Sequence, residues 1–398
     1  MILHLLKMVW NRKRTNWLIV LEIFISFLVL FSVIAASVYY FDNYSLPLGY
    51  SCQNVWVIRA NPNPDIGELY IKADPALQDK YRQVLLAIRG FAEIETTAAA
   101  VDVPYDRREW TQEFLGARQF RYRADEVSDG FKDVMNLRIV RGRWFEAGDD
   151  SLSWSPIVVN EKFARMAYGN GDPIGRNVNM WDKSQARIIG VISEFRKDGE
   201  YSTPKPYAFF RRSLNKPAPD ILRTIAIKVK PGTPRSFEEQ LMDALKGVAR
   251  EWVFEIQPLE EIRESRLNLA VLPIKILTLV DIFLMIMVAL GLVGVLWQSV
   301  TVRKSEIGLR RAQGATAGDI YRQILGELFF IATMGLIPGV LLIVQFPLLN
   351  LIADLKTSVY FYSIALSMIL IYLLTFVCGL YPGWLATRIR PAETLHYE

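Results

Sequence analysis

Hydrophobic residues gather into four long runs, and one long polar interval separates the first run from the other three. Residues 17–41, 276–302, 322–352 and 359–385 are mostly apolar. Each run exceeds the roughly 20 residues that carry a helix across a bilayer, so the pattern predicts four transmembrane helices. The first run ends in Tyr39 and Tyr40, aromatic anchors for a membrane–water interface. It is also longer than the about 7–15 apolar residues of a signal-peptide core, and so reads as a retained span. Ahead of it, residues 1–16 put Ile2, Leu5, Leu6, Val9 and Trp10 on one helical face, flanked by Lys7, Arg12, Lys13 and Arg14. That arrangement fits a helix lying in the cytoplasmic interface.

The ends of the runs fix the orientation. Arg303, Lys304, Arg310, Arg311 and Arg322 surround the short loop at 303–321, and Arg388 and Arg390 begin the tail at 386–398. Basic loops stay in the cytoplasm, which leaves residues 42–275 on the outer side and 354–358 as a short outer turn. In the second run Gly291 and Gly294 allow close helix packing. Asp281, near its outer end, is either a functional intramembrane carboxylate or, as the plainer reading, an interfacial one that is capped or paired. Pro338 and Pro347 remove backbone donors from the third run and are expected to kink or shorten it. Glu22 can reach the cytoplasmic interface and is given no role.

Inside the polar interval the periodicity changes. NVWVIRA at 54–60 alternates as a strand, and 75–89 sets Leu77, Tyr81, Val84, Leu85 and Ile88 at helical spacing behind Asp74 as N-cap. Residues 92–101 read as a strand again. The same order returns later: strand at 222–229, helix at 234–250 with Phe237, Leu241, Ala244, Leu245 and Val248 inward, strand at 252–257. Two β-α-β units therefore bracket the interval and predict a four-stranded split βαβ sheet with two helices on one face. Between them, residues 104–219 are richer in turns, with strands expected at 156–160 and 187–192 and a helix at 161–168. The fold class is thus a four-helix membrane region plus an α+β extracytoplasmic domain, its split βαβ subdomain interrupted by a smaller strand-rich one. Residues 260–275 read as a helical lead-in to the second span that ends at Pro273.

Composition narrows the chemistry. The net charge of +5 sits at membrane ends, which accounts for it by topology and not by nucleic-acid binding. Cys52 and Cys378 are the only cysteines, and the second lies in an apolar run, so no disulfide framework is implied. His4 and His396 are terminal, which argues against zinc sites and histidine catalysis. The chain has no P-loop and no G-x-S-x-G elbow. The adjacent carboxylates Asp125/Glu126 and Glu260/Glu261 read as solvated surface charge.

The remaining feature is the loop itself. Residues 303–316 read RKSEIGLRRAQGAT; Ile307, Leu309 and Ala312 alternate with charge, and Gly314 stands at a C-cap position. By composition this is either a charged loop that only sets topology or a short amphipathic helix with a docking role. The run EIGLRRAQGAT at 306–316 resembles the cytoplasmic loop of FtsX/MacB-type ABC transporter permeases, and the ending YPGWLATRIRPAETLHYE resembles the ending of the same family. The matches at 160–164, 169–175 and 187–191 resemble that family's periplasmic core domain. Gln313 departs from the pattern, which usually has an apolar residue there.

The resemblance implies a multi-pass protein of the bacterial inner membrane with a large extracytoplasmic domain. It implies a non-catalytic permease subunit, with Glu306, Ile307, Gly308, Leu309, Arg310, Arg311 and Gly314 coupling it to an ATPase. No cofactor is expected in this chain; ATP and Mg would be bound by a separate cytoplasmic ATPase dimer. A second permease, identical or different, is expected, with membrane lipid around it, no nucleic acid, and a periplasmic adaptor or hydrolase as a further partner. The implied activity is ATP-driven movement of the external domain that exports or extrudes a peptide, antibiotic, lipoprotein or lipid. The alternatives are a non-transporting mechanical subunit that regulates a cell-wall hydrolase, and an ATPase-independent membrane-anchored receptor.

Overall fold

The computed structural model describes residues 13–62, 75–106, 110–115, 119–179, 185–216, 220–302, 304–349 and 356–387. The expected interfacial helix before residue 13, the outer turn before residue 356, Arg303 and the tail after residue 387 lie outside the described residues. The chain divides into two units, Met1–Asp42 with Val271–Glu398, and Asn43–Ala270.

The 43–270 unit is built on one eleven-stranded sheet. Strand β1 (Val55–Asn61), helix α2 (Pro75–Arg89) and strand β2 (Ile94–Ala100) form the first β-α-β unit. Strand β10 (Thr224–Val229), helix α5 (Phe237–Val248) and strand β11 (Val253–Pro258) form the second. They interleave in the order β11-β1-β10-β2, every neighbouring pair antiparallel, with Val57 opposite both Ala226 and Gln257. This is the expected split βαβ sheet. Trp56, Ile58, Ile225 and Ile227 meet Tyr81, Val84, Leu85, Ile88, Phe237, Leu241 and Leu245 of the two helices.

The other face of that sheet is also covered. Val55, Val57 and Ala226 join a second core with Phe131, Met135, Phe195 and Phe209, all from the stretch between the two β-α-β units. That is why Val55, Trp56, Val57 and Ile58 are all buried where strict alternation would expose every second residue. The stretch supplies β3 (Thr111–Leu115), β4 (Gln119–Val127), α3 (Phe131–Met135), β5 (Ile139–Gly142), β6 (Ser155–Asn160), α4 (Glu161–Tyr168), β7 (Asn177–Asn179), β8 (Gln185–Ile192) and β9 (Tyr207–Arg211). Its strands continue the sheet as β4-β9-β6-β8-β5, and the two halves are joined between β2 and β4 by the Ala100–Val127 pair. Asn160 holds this half together from inside: its side chain accepts from Phe163 N, capping α4, and from Tyr207 N at 3.0 Å.

Close to that joint lies a buried ionic group. Lys197 Nζ donates to Asp102 Oδ2 at 3.1 Å and to Asp125 Oδ2 at 3.0 Å, and Tyr207 Oη donates to Asp125. All four side chains are buried. The expectation that Asp125/Glu126 are solvated is therefore wrong. On a strand, neighbours point to opposite faces, so Asp125 enters the core while Glu126 pairs with Arg212. Glu261, likewise expected to be solvated, pairs with Arg235. Burial acts against the Lys197 ammonium, but Asp125 and Asp102 outweigh it and hold its pKa above the ordinary value. Burial pushes Asp102 up to about 7 despite Lys197 beside it, and raises Asp125 as well. Arg123, nearby on the same strand, pairs with Asp198 at 2.5 Å.

The membrane unit contains α1 (Lys13–Tyr44), the larger part of α6 (Leu259–Val302), α7 (Lys304–Ala312), α8 (Ala317–Leu348) and α9 (Thr357–Thr387). Four of these helices are long and apolar enough to cross a membrane. Helix α8 runs through Pro338 and ends at Leu348, one residue past Pro347. Likewise Pro273 lies inside α6 and does not end a separate lead-in helix. Close packing is found at Gly291, one of the two glycines expected, and more tightly at two others. A Cβ on Gly335 would lie 2.8 Å from Ile23 Cγ2, and one on Gly339 would lie 2.5 Å from Phe27 Cδ1, so α1 and α8 touch through these two. Gly291 meets Glu22 and Ile19, whereas Gly294 has open space. Asp281 is buried, and its Oδ1 has no hydrogen-bond partner among the described residues.

The buried ionic group makes a pH prediction for the external domain. Folded Asp102 keeps its proton up to about pH 7 and unfolded Asp loses it near 3.8. Between those values the folded state binds more protons, so this group's stabilisation is complete at low pH and is lost as pH rises through the window. The melting temperature should fall from pH 5 to pH 7.5, and Asp102→Asn should flatten part of that fall, Asp125 contributing the rest. Equal slopes in the two proteins, measured by calorimetry across the window, would contradict the assignment.

Candidate functional site

Four residues separate α7 from the next helix start, and the local chemistry fixes both ends of that turn. Gly314 has φ +98°, a left-handed conformation that suits glycine, and Ala315 N donates to Arg310 O at 3.0 Å to close the end of α7. Thr316 then caps α8 reciprocally with Asp319: Asp319 N donates to Thr316 Oγ1 at 3.2 Å and Thr316 N donates to Asp319 Oδ2 at 3.0 Å. The segment is thus a helix followed by a tight, capped corner.

Helix α7 is fastened to its own unit. Ile307 is buried and joins the core that contains Leu296, Val300, Ile320 and Ile324. Gly308 is buried beside it. Arg310 bridges Glu306 at 2.6 Å and donates to Gln323 Oε1 at 2.5 Å, and Gln323 reaches Glu327 at 3.5 Å. A polar chain therefore runs along the outside of the apolar contact and ties α7 to α8. The ion pair within α7 is half-exposed and contributes little by itself, whereas the inward Ile307 anchors the helix.

This arrangement divides the expected coupling residues. Ile307 and Gly308 face the interior of the unit, so the expectation that Ile307 offers an apolar contact to a partner does not fit its position. Glu306 and Arg310 hold each other. Leu309 is 52 % exposed, and with Ala312, Gln313 and Gly314 it leaves a free surface that continues through Thr316, Ala317, Gly318 and Asp319. The side chain of Arg311 lies outside the described residues. Gln323 and Glu327 were not singled out by the sequence, because their part depends on a contact between two helices; their four-residue spacing on one helix face was the available signal.

The surface so formed carries a leucine at a corner of small residues, suited to close docking of a partner and not to bond chemistry. Among the described residues no three His, Cys, Asp or Glu side chains come together as metal ligands. Cys52 and Cys378 are free thiols, both buried.

Residues 21–244 match the MacB-like periplasmic core domain, and residues 279–391 match the FtsX-like permease C-terminal family. The macrolide export ATP-binding/permease protein MacB of Chromobacterium violaceum is 26% identical over 312 residues, covering 72% of this chain and 46% of that protein. The uncharacterized ABC transporter permease YknZ of Bacillus subtilis is 22% identical over 298 residues, covering 72% of this chain and 74% of that one. The crystal structure of the periplasmic region of MacB from Actinobacillus actinomycetemcomitans covers 54% of this chain and 94% of its own at 17% identity, with a TM-score of 0.40. The chain spans about half the length of the first of these MacB relatives. With four membrane-length helices and a large extracytoplasmic sheet domain, the chain is an inner-membrane protein that belongs to the MacB-like family, with an FtsX-like permease C-terminal region.

Proposed function

We propose that this chain is the non-catalytic permease subunit of an ABC transporter, and that a separate cytoplasmic ATPase dimer docks on the exposed surface of α7 and the corner after it. The observation that carries the reading is the continuity of α6. It begins at Leu259, which is wholly buried in the core of the external domain, and runs as one 44-residue helix to Val302, just before α7. At 1.5 Å per residue its 44 residues extend about 66 Å, and α6 is the element through which a displacement of α7 would be passed to the external domain. Its first turns are held in that domain by Leu259 and Ile262 and by Arg263, which donates to Glu200 Oε1 at 2.6 Å. Arg196 braces the same region with bonds to the carbonyls of Leu46 and Ser202.

ATP-driven closure of the ATPase pair would displace α7, shift α6 and move the external domain, while a second copy or a related permease does the same opposite it. Substrate is then expelled on the outer side. The relatives named for macrolide export support an export role. Lipid, peptide and lipoprotein cargo share the same mechanics, and so does the control of a cell-wall hydrolase.

Leu309 provides the test because it is exposed, so that its replacement leaves the bundle intact. In the reconstituted complex, Leu309→Glu should lower permease-stimulated ATP hydrolysis at least about tenfold, as loss of a central apolar anchor does. Expression and melting temperature should stay unchanged, and Lys304→Gln should leave ATPase activity alone. Ile307→Glu, by contrast, should destabilise the membrane unit. Full stimulation by Leu309→Glu would reject docking at this surface.

A further inference from the structure

The membrane unit carries a groove that the coupling reading does not use. Helices α1, α8 and α9 enclose a cavity of about 470 Å³ lined by Phe31, Ala36, Leu342, Phe346 and Tyr360, with Tyr39 and Tyr40 at one end. Its walls are apolar. The hydroxyl of Ser32 is already engaged, donating to Leu28 O at 2.8 Å. At about 30 Å³ for a group the size of a water or methylene, the space takes roughly fifteen of them, a whole acyl chain. Tyr39 and Tyr40 close the outer end of α1, and Tyr360 is one turn into α9, so the groove lies in the outer-leaflet half of the spans.

At the same level stands a charged pair. Lys356 Nζ lies 2.6 Å from Asp42 Oδ2. Lys356 directly precedes α9, one turn from Tyr360, and Asp42 is two residues beyond Tyr40 on α1. Both side chains are largely exposed, so the bond between them contributes little and is readily exchanged for other partners. The combination is a slot for an apolar chain beneath a cation and an anion side by side.

We propose that this groove holds one acyl chain of an outer-leaflet phospholipid whose headgroup is a phosphate bearing a primary amine, the phosphate on Lys356 and the ammonium on Asp42. Within a bilayer an acyl chain gains no hydrophobic free energy on entering a protein groove, because the surrounding lipid is equally apolar. The groove therefore supplies shape, and the headgroup supplies the choice. A phosphoethanolamine headgroup makes charge-assisted hydrogen bonds with both rim residues. A glycerol headgroup leaves Asp42 facing phosphate, and a choline headgroup has no N–H to give it. The proposal depends on the membrane placement of the helices and not on ATPase docking, so it stands or falls separately.

The test is native mass spectrometry of the delipidated full chain offered equal amounts of dipalmitoyl phosphatidylethanolamine, phosphatidylglycerol and phosphatidylcholine. One phosphatidylethanolamine should be retained about tenfold over the others. Ala36→Phe, which fills the groove, should abolish retention. Asp42→Ala, at an exposed position that leaves folding unchanged, should keep lipid binding and lose the preference, because the ammonium has lost its partner. Equal retention of the three lipids by the native chain, or an unchanged preference in Asp42→Ala, would overturn the headgroup assignment. Undiminished binding by a folded Ala36→Phe would overturn the groove. Disulfide cross-linking between Ala36→Cys chains in native membranes would show a second copy in the groove, which also overturns it.

Discussion

The burial of Leu259 at the base of a single long helix is the constraint on which the structure depends. Helix α6 has its first residues in the core of the external unit and its last residues in the core of the membrane unit. Leu259 and Ile262 fix one end among Tyr50, Val57 and Phe195. Leu292, Leu296 and Val300 fix the other among the membrane helices. Pro273 is carried inside the helix between them. Proline removes one intrahelical hydrogen bond and ordinarily costs about 3 kcal/mol or more in a helix interior.

The external unit meets the same demand by being braced from several directions. The sheet is covered on both faces, and the two strand sets share the β2–β4 contact and the buried Lys197 group. A buried ion pair is weak evidence for stability, since desolvation offsets most of the attraction. Its effect here is on geometry. Separating the two halves at this joint would leave charges without partners in an apolar core, so the halves move together or not at all.

Much of this was legible in the sequence, for definite reasons. Both β-α-β units were visible because their cores are local: apolar residues at 3.6 spacing in 75–89 and 237–248, and alternation in the flanking strands. The four spans were visible from length and hydropathy alone. The segment at 303–316 was visible as a motif, but its inward and outward faces were not. Ile307 and Leu309 look equivalent in the sequence, and the contact with Ile320 and Ile324 across the turn decides which is buried. The Lys197 group was invisible because its partners lie 95 and 72 residues away. Asp125 looked like surface charge for the same reason. The Gly335–Gly339 contact escaped notice because a glycine's use depends on what approaches it, here Ile23 and Phe27.

The central claim is that α6 carries motion from the coupling surface to the external domain. It is tested by electron–electron double resonance between spin labels placed at Glu264→Cys in the two copies of a reconstituted complex, with Cys52 and Cys378 replaced. The inter-label distance is compared without nucleotide and with the ATPases trapped closed, in the native helix and in a chain with four glycines inserted after Ala270. The account predicts a distance change in the native helix that vanishes with the insertion while ATPase stimulation persists. A distance change that survives the glycine insertion would contradict it.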